Sequence, residues 1–259
     1  MELVNKNNKI RLDQALVMRG LCASRTEAQE LIQDGNVLMN GNVCTKQTSP
    51  VKESDKLLVM AKRKYVSRGG EKLRGVLNDV FGDDESVRVA TFGRHALDIG
   101  SSTGGFTDCL LQFGIEHVDA VDVGTQQLHQ SLCDNSKVFL FENTDIRNFN
   151  SCHSCAGRNT GYDFIVADLS FISIETVLKD LIRLGTKNIT KYFILIKPQF
   201  EVGKGNTKKG IVKNEELVQE VLKKIKNECE SFGMIEIKIF LCHLKGGDGN
   251  QEYFLFGKL

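Results

Sequence analysis

LDIGSSTGGFTD, residues 97–108, runs a strand end into a glycine turn and then into a helix start. Gly100, Gly104 and Gly105 free the backbone to turn sharply and to come close to a flat partner. In a doubly wound sheet this junction, after the first strand and opening the first helix, is where a ligand sits. The pattern is G-x-x-x-G-G. A pyrophosphate-binding turn needs G-x-G-x-x-G with a helix N-terminus aimed at the phosphates, so a dinucleotide is disfavoured.

Working outward, strand and helix patterns alternate. HALDIG reads as a strand, GGFTDCLLQFG as a helix, HVDAVDVG as a strand, TQQLHQSL as a helix and KVFLF as a strand. YDFIVAD is a strand followed by a helix over about 174–184. YFILIK is a strand, and NEELVQEVLKKIKNECESF is a long helix with Leu217, Val221 and Ile225 turned inward. IEIKIFLCHL and EYFLFGKL close the chain as an antiparallel pair. Near-continuous apolar strands separated by helices imply an α/β fold whose parallel sheet is covered on both faces.

The acidic residues of this region suggest what the turn holds. Asp122 ends the second strand, where a carboxylate accepts from both ribose hydroxyls of a nucleoside. Asp98, at the end of the first strand, can meet an amino group or a helix-entry amide. An acid-lined, phosphate-free nucleoside pocket suits S-adenosylmethionine, which carries a sulfonium and an ammonium.

YFILIKPQFE, residues 192–201, raises a second question, because an apolar strand ends on a primary amine. Ligand crevices of open α/β sheets lie at the C-terminal strand ends. Asp168 ends FIVAD, Lys197 ends YFILIK, and Glu252 begins the antiparallel last strand, whose start falls on the same edge. Strands in register lie about 4.8 Å apart, so a lysine and two carboxylates converge there if the last strand pairs with the Lys197 strand.

The N-terminal part has a different character. Residues 1–64 hold 11 Lys and Arg against 7 Asp and Glu, whereas the remainder holds 23 against 26. A basic piece on a mildly acidic body points to a polyanion partner. IRLDQALVMRG has helical spacing stopped by Gly20. SRTEAQELIQDG opens on a capping box of Ser24 and Glu27, buries Ala28, Leu31 and Ile32, and stops at Gly35. NVLMNGNVCT is a hairpin about Asn40-Gly41, and DKLLVM is a further strand. AKRKYVSRGG, residues 61–70, reads as a basic linker between domains at 1–60 and 71–259. EKLRGVLNDVF is amphipathic through Leu73, Val76, Leu77, Val80 and Phe81.

MELVNKNNKI shows no apolar signal core, and the apolar runs fall well short of the roughly 18 residues of a membrane helix. With eight cysteines and no visible signal, reduced thiols and a cytoplasmic location are expected. CHSC, at Cys152–Cys155, is half of a zinc pattern without a second half, so no metal is expected.

These blocks match a family. RLDQALVMRGLCASRTEAQELIQDGNVLMNG resembles the alpha-L RNA-binding motif of a ribosomal small-subunit protein and of pseudouridine synthases. YVSRGGEKL, LDIGSSTGGFTDCLL, AVDVG, VADLSFIS, IKPQFE and GNQEYFL resemble, in order, the blocks of the TlyA family, from about residue 9 to the end. That family comprises rRNA cytidine 2′-O-methyltransferases, also long called hemolysins, with an FtsJ-like, Rossmann-like catalytic domain. The resemblance implies a catalytic tetrad at Lys72, Asp168, Lys197 and Glu252. It implies S-adenosylmethionine as cofactor, held by Asp98, Gly100, Ser102, Thr103, Gly104, Gly105, Phe106, Thr107, Asp122, Val123, Asp145 and Asp168. Asp145 stands where the family usually carries Asn, and the segment 150–161 is longer than typical. It further implies ribosomal RNA or ribosomal subunits as partner and no membrane. Arg11, Arg19, Arg25, Lys46 and Arg68 are the candidate RNA contacts. Rival readings are a membrane-lytic protein, for which no amphipathic membrane segment or export signal is found, an NAD-type oxidoreductase, which the glycine spacing disfavours, and an inactive RNA-binding assembly factor.

Overall fold

The structure is a computed structural model that describes residues 10–33, 35–60, 64–150, 161–186, 189–203 and 205–259. The chain divides into two units, residues 1–67 and 68–259. The CHSC segment lies outside the described residues.

The N-terminal unit contains β1 (Ile10–Arg11), α1 (Leu12–Met18), α2 (Arg25–Gln33), β2 (Val37–Met39), β3 (Asn42–Val43), β4 (Pro50–Val51) and β5 (Leu57–Val59). Gly20 ends α1 with φ +68° and donates to the Val17 carbonyl. Ser24 Oγ accepts from Glu27 N, and Glu27 reaches back to Ala23 N, one residue earlier than a standard capping box. The hairpin turns through Asn40 and Gly41, at φ 53° and 85°, as an Asn-Gly turn with two left-handed residues should. β2 pairs with both β3 and β5, and β1 pairs with β4, a short ladder absent from the sequence expectation. Leu12, Leu16, Ala28, Leu31, Ile32 and Val37 form its core.

The C-terminal unit opens with α3 (Arg68–Phe81) and α4 (Asp84–Thr91). Arg68, Gly69 and Gly70, read as linker from sequence, are the first turn of α3. The following elements are β6 (His95–Ile99), α5 (Gly105–Gln112), β7 (His117–Val121), α6 (Gln130–Cys133), β8 (Val138–Phe141), a 3₁₀ turn at Ile146–Asn148, β9 (Phe164–Ala167), α7 (Ile174–Arg183), β10 (Lys191–Ile196), α8 (Pro198–Glu201), α9 (Glu215–Ser231), β11 (Ile235–Leu241) and β12 (Tyr253–Lys258). The helix expected from TQQLHQSL shrinks to the four residues of α6.

One seven-stranded sheet orders these strands β11-β12-β10-β9-β6-β7-β8. All neighbours from β10 to β8 are parallel, and β12 is antiparallel to both β10 and β11. The chain leaves β6 first toward β7 and later returns to its other side with β9, so the switch point lies between β6 and β9. Val166, Ile194, Leu195 and Leu255 are fully buried, as strands covered on both faces require. α7 buries Ile174, Val177, Leu178, Leu181 and Ile182 against the sheet, each stabilising by about 1.5–3 kcal/mol. α9 buries Val218, Leu222, Ile225 and Cys229. The stripe expected through Leu217 and Val221 is therefore one residue out of phase, and those two flank it half-buried.

Candidate active site

The switch point is narrow by construction. Gly100 follows β6 with φ +76°, and a Cβ there would stand 2.6 Å from the Asp168 carbonyl oxygen. Only glycine lets the ends of β6 and β9 approach this closely. Gly104, at φ +93°, caps α5 and packs against Leu128 and Leu132. Asp98 is fully buried. Its Oδ2 accepts from Thr107 Oγ1 at 2.6 Å, and its Oδ1 has no partner. Desolvation, only partly offset by the Thr107 bond and reinforced by the Asp168 charge, pushes its pKa up to about 7.

A cavity of about 500 Å³ opens here, lined by Gly100, Ser102, Asp122, Asp145 and Asp168 among others. Asp122 is fixed by two amides, Ser102 N on Oδ2 at 2.8 Å and Gly124 N on Oδ1 at 2.7 Å. Each oxygen keeps a further lone pair, and Asp122 lines the cavity. Asp145 is gripped by the Arg147 guanidinium, which holds its carboxyl at about 2. Val123 lines the rim and is exposed. Phe106 and Thr107 are buried, Phe106 in ring contact with Phe254, so they support the turn from behind. The Thr103 carbonyl accepts from His129 N, and Gly105 opens α5.

The four residues of the expected tetrad come from four elements and gather at the same edge. Ile196 pairs with Tyr253 across the β10–β12 ladder, which brings Lys197 and Glu252 level just beyond it. Lys197 Nζ lies 2.5 Å from Asp168 Oδ1 and donates to Ser170 Oγ at 2.8 Å. Lys72, on α3, donates to Glu252 Oε2 at 2.6 Å. Burial pulls the Lys72 amine down, but the charges of Asp168 and Glu252 outweigh it and leave its pKa raised. Two lysine–carboxylate pairs thus share this edge, with Lys72 feeling the charge of Asp168 as well as of Glu252, and Asp168 also lines the cavity.

The candidate RNA contacts are placed less uniformly. Asp13, fully buried, accepts from Arg11, Arg25 and Gln29. Burial would raise its pKa, and the three donors instead hold it well below the carboxylate range. The two arginine side chains are about half exposed, 42% and 53%, so they present charge outward from a fixed base. Arg19 is taken up by the carbonyls of Lys52, Glu53 and Asp55 and staples that turn. Lys46 is exposed. Arg68 donates to the Lys245 carbonyl within the C-terminal unit.

Sequence reasoning missed Ser170, Glu201 and Gly246. Glu201 accepts from Ser173 Oγ at 2.6 Å and from Ile174 N at 3.0 Å, capping α7. A Cβ at Gly246 would meet Glu252 Oε1 at 2.5 Å. Ser170 and Glu201 fall inside the VADLSFIS and IKPQFE blocks, but nothing in their spacing says which serine reaches which partner. Phe171, beside Ser170, is 90% exposed on the cavity rim.

Among the described residues no helix is long and apolar enough to cross a membrane, and no group of His, Cys, Asp and Glu is arranged to hold a metal. The FtsJ-like methyltransferase profile matches residues 65–259, and the S4 domain profile matches residues 10–57. The chain is 38% identical to the 16S/23S rRNA (cytidine-2′-O)-methyltransferase TlyA of Mycobacterium tuberculosis, over 96% of this chain and 89% of that protein. It is 34% identical to the 23S rRNA (cytidine-2′-O)-methyltransferase TlyA of Campylobacter jejuni, over 93% and 96%. A solved structure of a hemolysin-named protein from Streptococcus thermophilus superposes with a TM-score of 0.71 at 30% identity, covering 96% of this chain and 88% of that one. A strand order with its switch point at a glycine turn, an acid-lined cavity there and an appended S4 domain agree with these matches, and the chain belongs to the TlyA branch of the FtsJ-like methyltransferases.

Proposed function

We propose that this protein methylates the ribose 2′-hydroxyl of a cytidine in ribosomal RNA, in the cytoplasm, with S-adenosylmethionine as methyl donor. The observation that carries the reading is the convergence of Lys197–Asp168 and Lys72–Glu252 at one sheet edge, where Asp168 also lines the cavity.

The cavity residues fit the donor. Asp122 suits the ribose hydroxyls and Asp145 suits an amino-bearing base edge; Asp98, buried behind the lining, keeps an unpartnered Oδ1 beside its bond to Thr107. When bound, S-adenosylmethionine supplies an electrophilic methyl group on a sulfonium. The rest of the chemistry falls to the side chains. The attacking hydroxyl must lose a proton, and Lys197 is the amine aimed at it. Asp168 holds that amine in place. Lys197 acts either by taking the proton or by steadying the developing alkoxide with its charge. Lys72, kept protonated by its carboxylate neighbours, suits a phosphate or ribose oxygen of the substrate. Phe171 offers a stacking face for an unpaired base. The half-exposed Arg11 and Arg25 of the S4 unit suit RNA phosphates, with binding that falls as salt rises.

Mapping 2′-O-methylated rRNA positions in cells with the protein, without it and with Lys197→Ala tests the reading. A cytidine methylated only with the unaltered protein is expected. An unchanged methylation map across all three would sink it. Lys197→Arg then separates the two roles, because a guanidinium keeps the charge but accepts no proton.

A further inference from the structure

We propose that Ser170 is the positioning residue that aims Lys197, a role that rests on the reading of Lys197 as the catalytic amine. A lysine nitrogen is tetrahedral. One position is its own carbon, and one N–H donates to Ser170 Oγ at 2.8 Å. Asp168 Oδ1, 2.5 Å away, is an ion-pair partner that takes up no aligned hydrogen bond. The ion pair sets how near the amine lies but not how it is turned, because a charge attraction has little directionality. The Ser170 bond supplies the direction and so limits where the remaining positions point. This holds whether those positions carry a lone pair or an N–H.

Ser170 is itself held firmly although it is exposed. The next residue, Phe171, has φ +65°, a left-handed conformation that is costly for an aromatic residue and persists only where the surroundings impose it. Here the segment that follows Lys197 supplies such contacts. The Phe171 ring lies 5.2 Å from the Phe200 ring. Ser173 Oγ and Ile174 N both donate to Glu201. The partners 170–197, 171–200 and 173–201 run in the same order along both segments, so DLSFIS and KPQFE are laced together. Pro198 starts α8 directly after Lys197 with a fixed φ, which makes the second segment a rigid rail for the first. Asp168, Ser170 and Phe171 also line the same cavity.

The test uses the full-length protein, ribosomal subunits as substrate and methyl-labelled S-adenosylmethionine. Ser170→Ala is expected to lower kcat by about tenfold to a hundredfold, the effect of losing one hydrogen bond to a charged group. KM for RNA, cofactor affinity and melting temperature stay at wild-type values, and Ser170→Thr, which keeps the oxygen, recovers most of the turnover. An unchanged kcat in Ser170→Ala, beside a Lys197→Ala variant that is inactive, overturns the proposal and leaves Lys197 in its role. A loss in Ser170→Ala that appears in KM or RNA affinity also overturns it, because Ser170 would then be a substrate contact. Wild-type turnover in Lys197→Ala would remove the catalytic reading, and the proposal with it.

Discussion

Lys72 and Glu252 lie 180 residues apart in the chain and meet at 2.6 Å, with side chains only 10% and 3% exposed. The contact joins the first helix of the C-terminal unit to the start of its last strand. The loop before Glu252 is tied to the same helix at two further points. Arg68 donates to the Lys245 carbonyl, and His243 Nε2 lies 2.8 Å from Asp79. Gly75 leaves room for the His243 ring, which a Cβ would meet at 2.6 Å. The buried pair is therefore the centre of a clamp, and its energetics should be visible apart from its chemistry.

Removing one partner leaves the other charge buried, which costs about 3–5 kcal/mol. Glu252→Ala is expected to lose stability on that scale and to lose methyl transfer. The paired Lys72→Met/Glu252→Leu variant should recover stability without recovering activity. The pH dependence has a definite sign, because the folded Lys72 pKa is raised above its ordinary 10.5. Its contribution is complete below that value and is lost as pH rises through the folded pKa. Urea unfolding of wild type and variants from neutral to strongly alkaline pH checks both points.

Gly246 tests the clamp more finely. Its φ lies outside the left-handed region, so alanine is conformationally allowed, yet the added Cβ would press on Glu252 Oε1 at 2.5 Å and Cδ at 3.2 Å. Gly246→Ala should turn the carboxylate away from Lys72 and lower kcat by about tenfold, the scale of a small misplacement of a reacting group. Affinity for cofactor and RNA should hold. Steady-state kinetics with separate binding measurements would show a defect in affinity instead if the loop itself is what matters.

Asp98 pits stability against the site. Its folded pKa of about 7 stands above the ordinary 3.8. The advantage of its neutral form is full below about pH 4 and is lost as pH rises through 7. Asp98→Asn keeps an acceptor for Thr107 and carries no charge. It should be more stable than wild type by about 4 kcal/mol at pH 8, with little difference at pH 4. Its cofactor affinity should fall. Denaturation curves at the two pH values give the comparison, and equal gains at both would contradict it.

Asp13 organises the S4 unit. It holds Arg11, Arg25 and Gln29 from a fully buried position. Asp13→Ala should destabilise that unit by about 1.5–3 kcal/mol, the scale of lost charge-assisted hydrogen bonds rather than of a buried charge, because Arg11 and Arg25 stay half exposed, and weaken RNA binding although no positive charge is lost. The depressed carboxyl contributes its stability above the unfolded value near 4 and loses it as pH falls. Salt-dependent RNA binding by Arg11→Ala, Arg25→Ala and Arg19→Ala separates contact from scaffold. The first two should flatten the salt slope, whereas Arg19, bound to three carbonyls, should act mainly on stability.

Much of the fold was legible because its signals are local. The glycine turn at 100–105, the Asn40-Gly41 hairpin and the amphipathic stripe of α3 each follow from backbone conformation or periodicity within a few residues. Where such signals were weak, the reading slipped. α6 is a single turn because few apolar residues in TQQLHQSL need covering. α3 starts at Arg68 rather than after the glycines, and Arg68 donates to the Lys245 carbonyl, a contact no local rule contains. The stripe of α9 is rotated by one residue because β-sheet packing chose Val218 and Leu222.

The strand–helix alternation from β6 to β12, the edge that Asp168, Lys197 and Glu252 share once the last strand runs antiparallel, and the glycine turn at 100–105 were determined by the sequence, since strand direction and chain alternation place them. Only the tertiary structure decided that Lys72 is buried against Glu252, that Ser170 shares the amine of Lys197 with Asp168, and that Arg19 is a staple while Arg11 and Arg25 stand on Asp13. The physical reason is the same in each case. The partner of a charged or polar side chain is chosen by proximity across elements and by the cost of leaving it unpaired once buried, and neither quantity is written in the residues next to it.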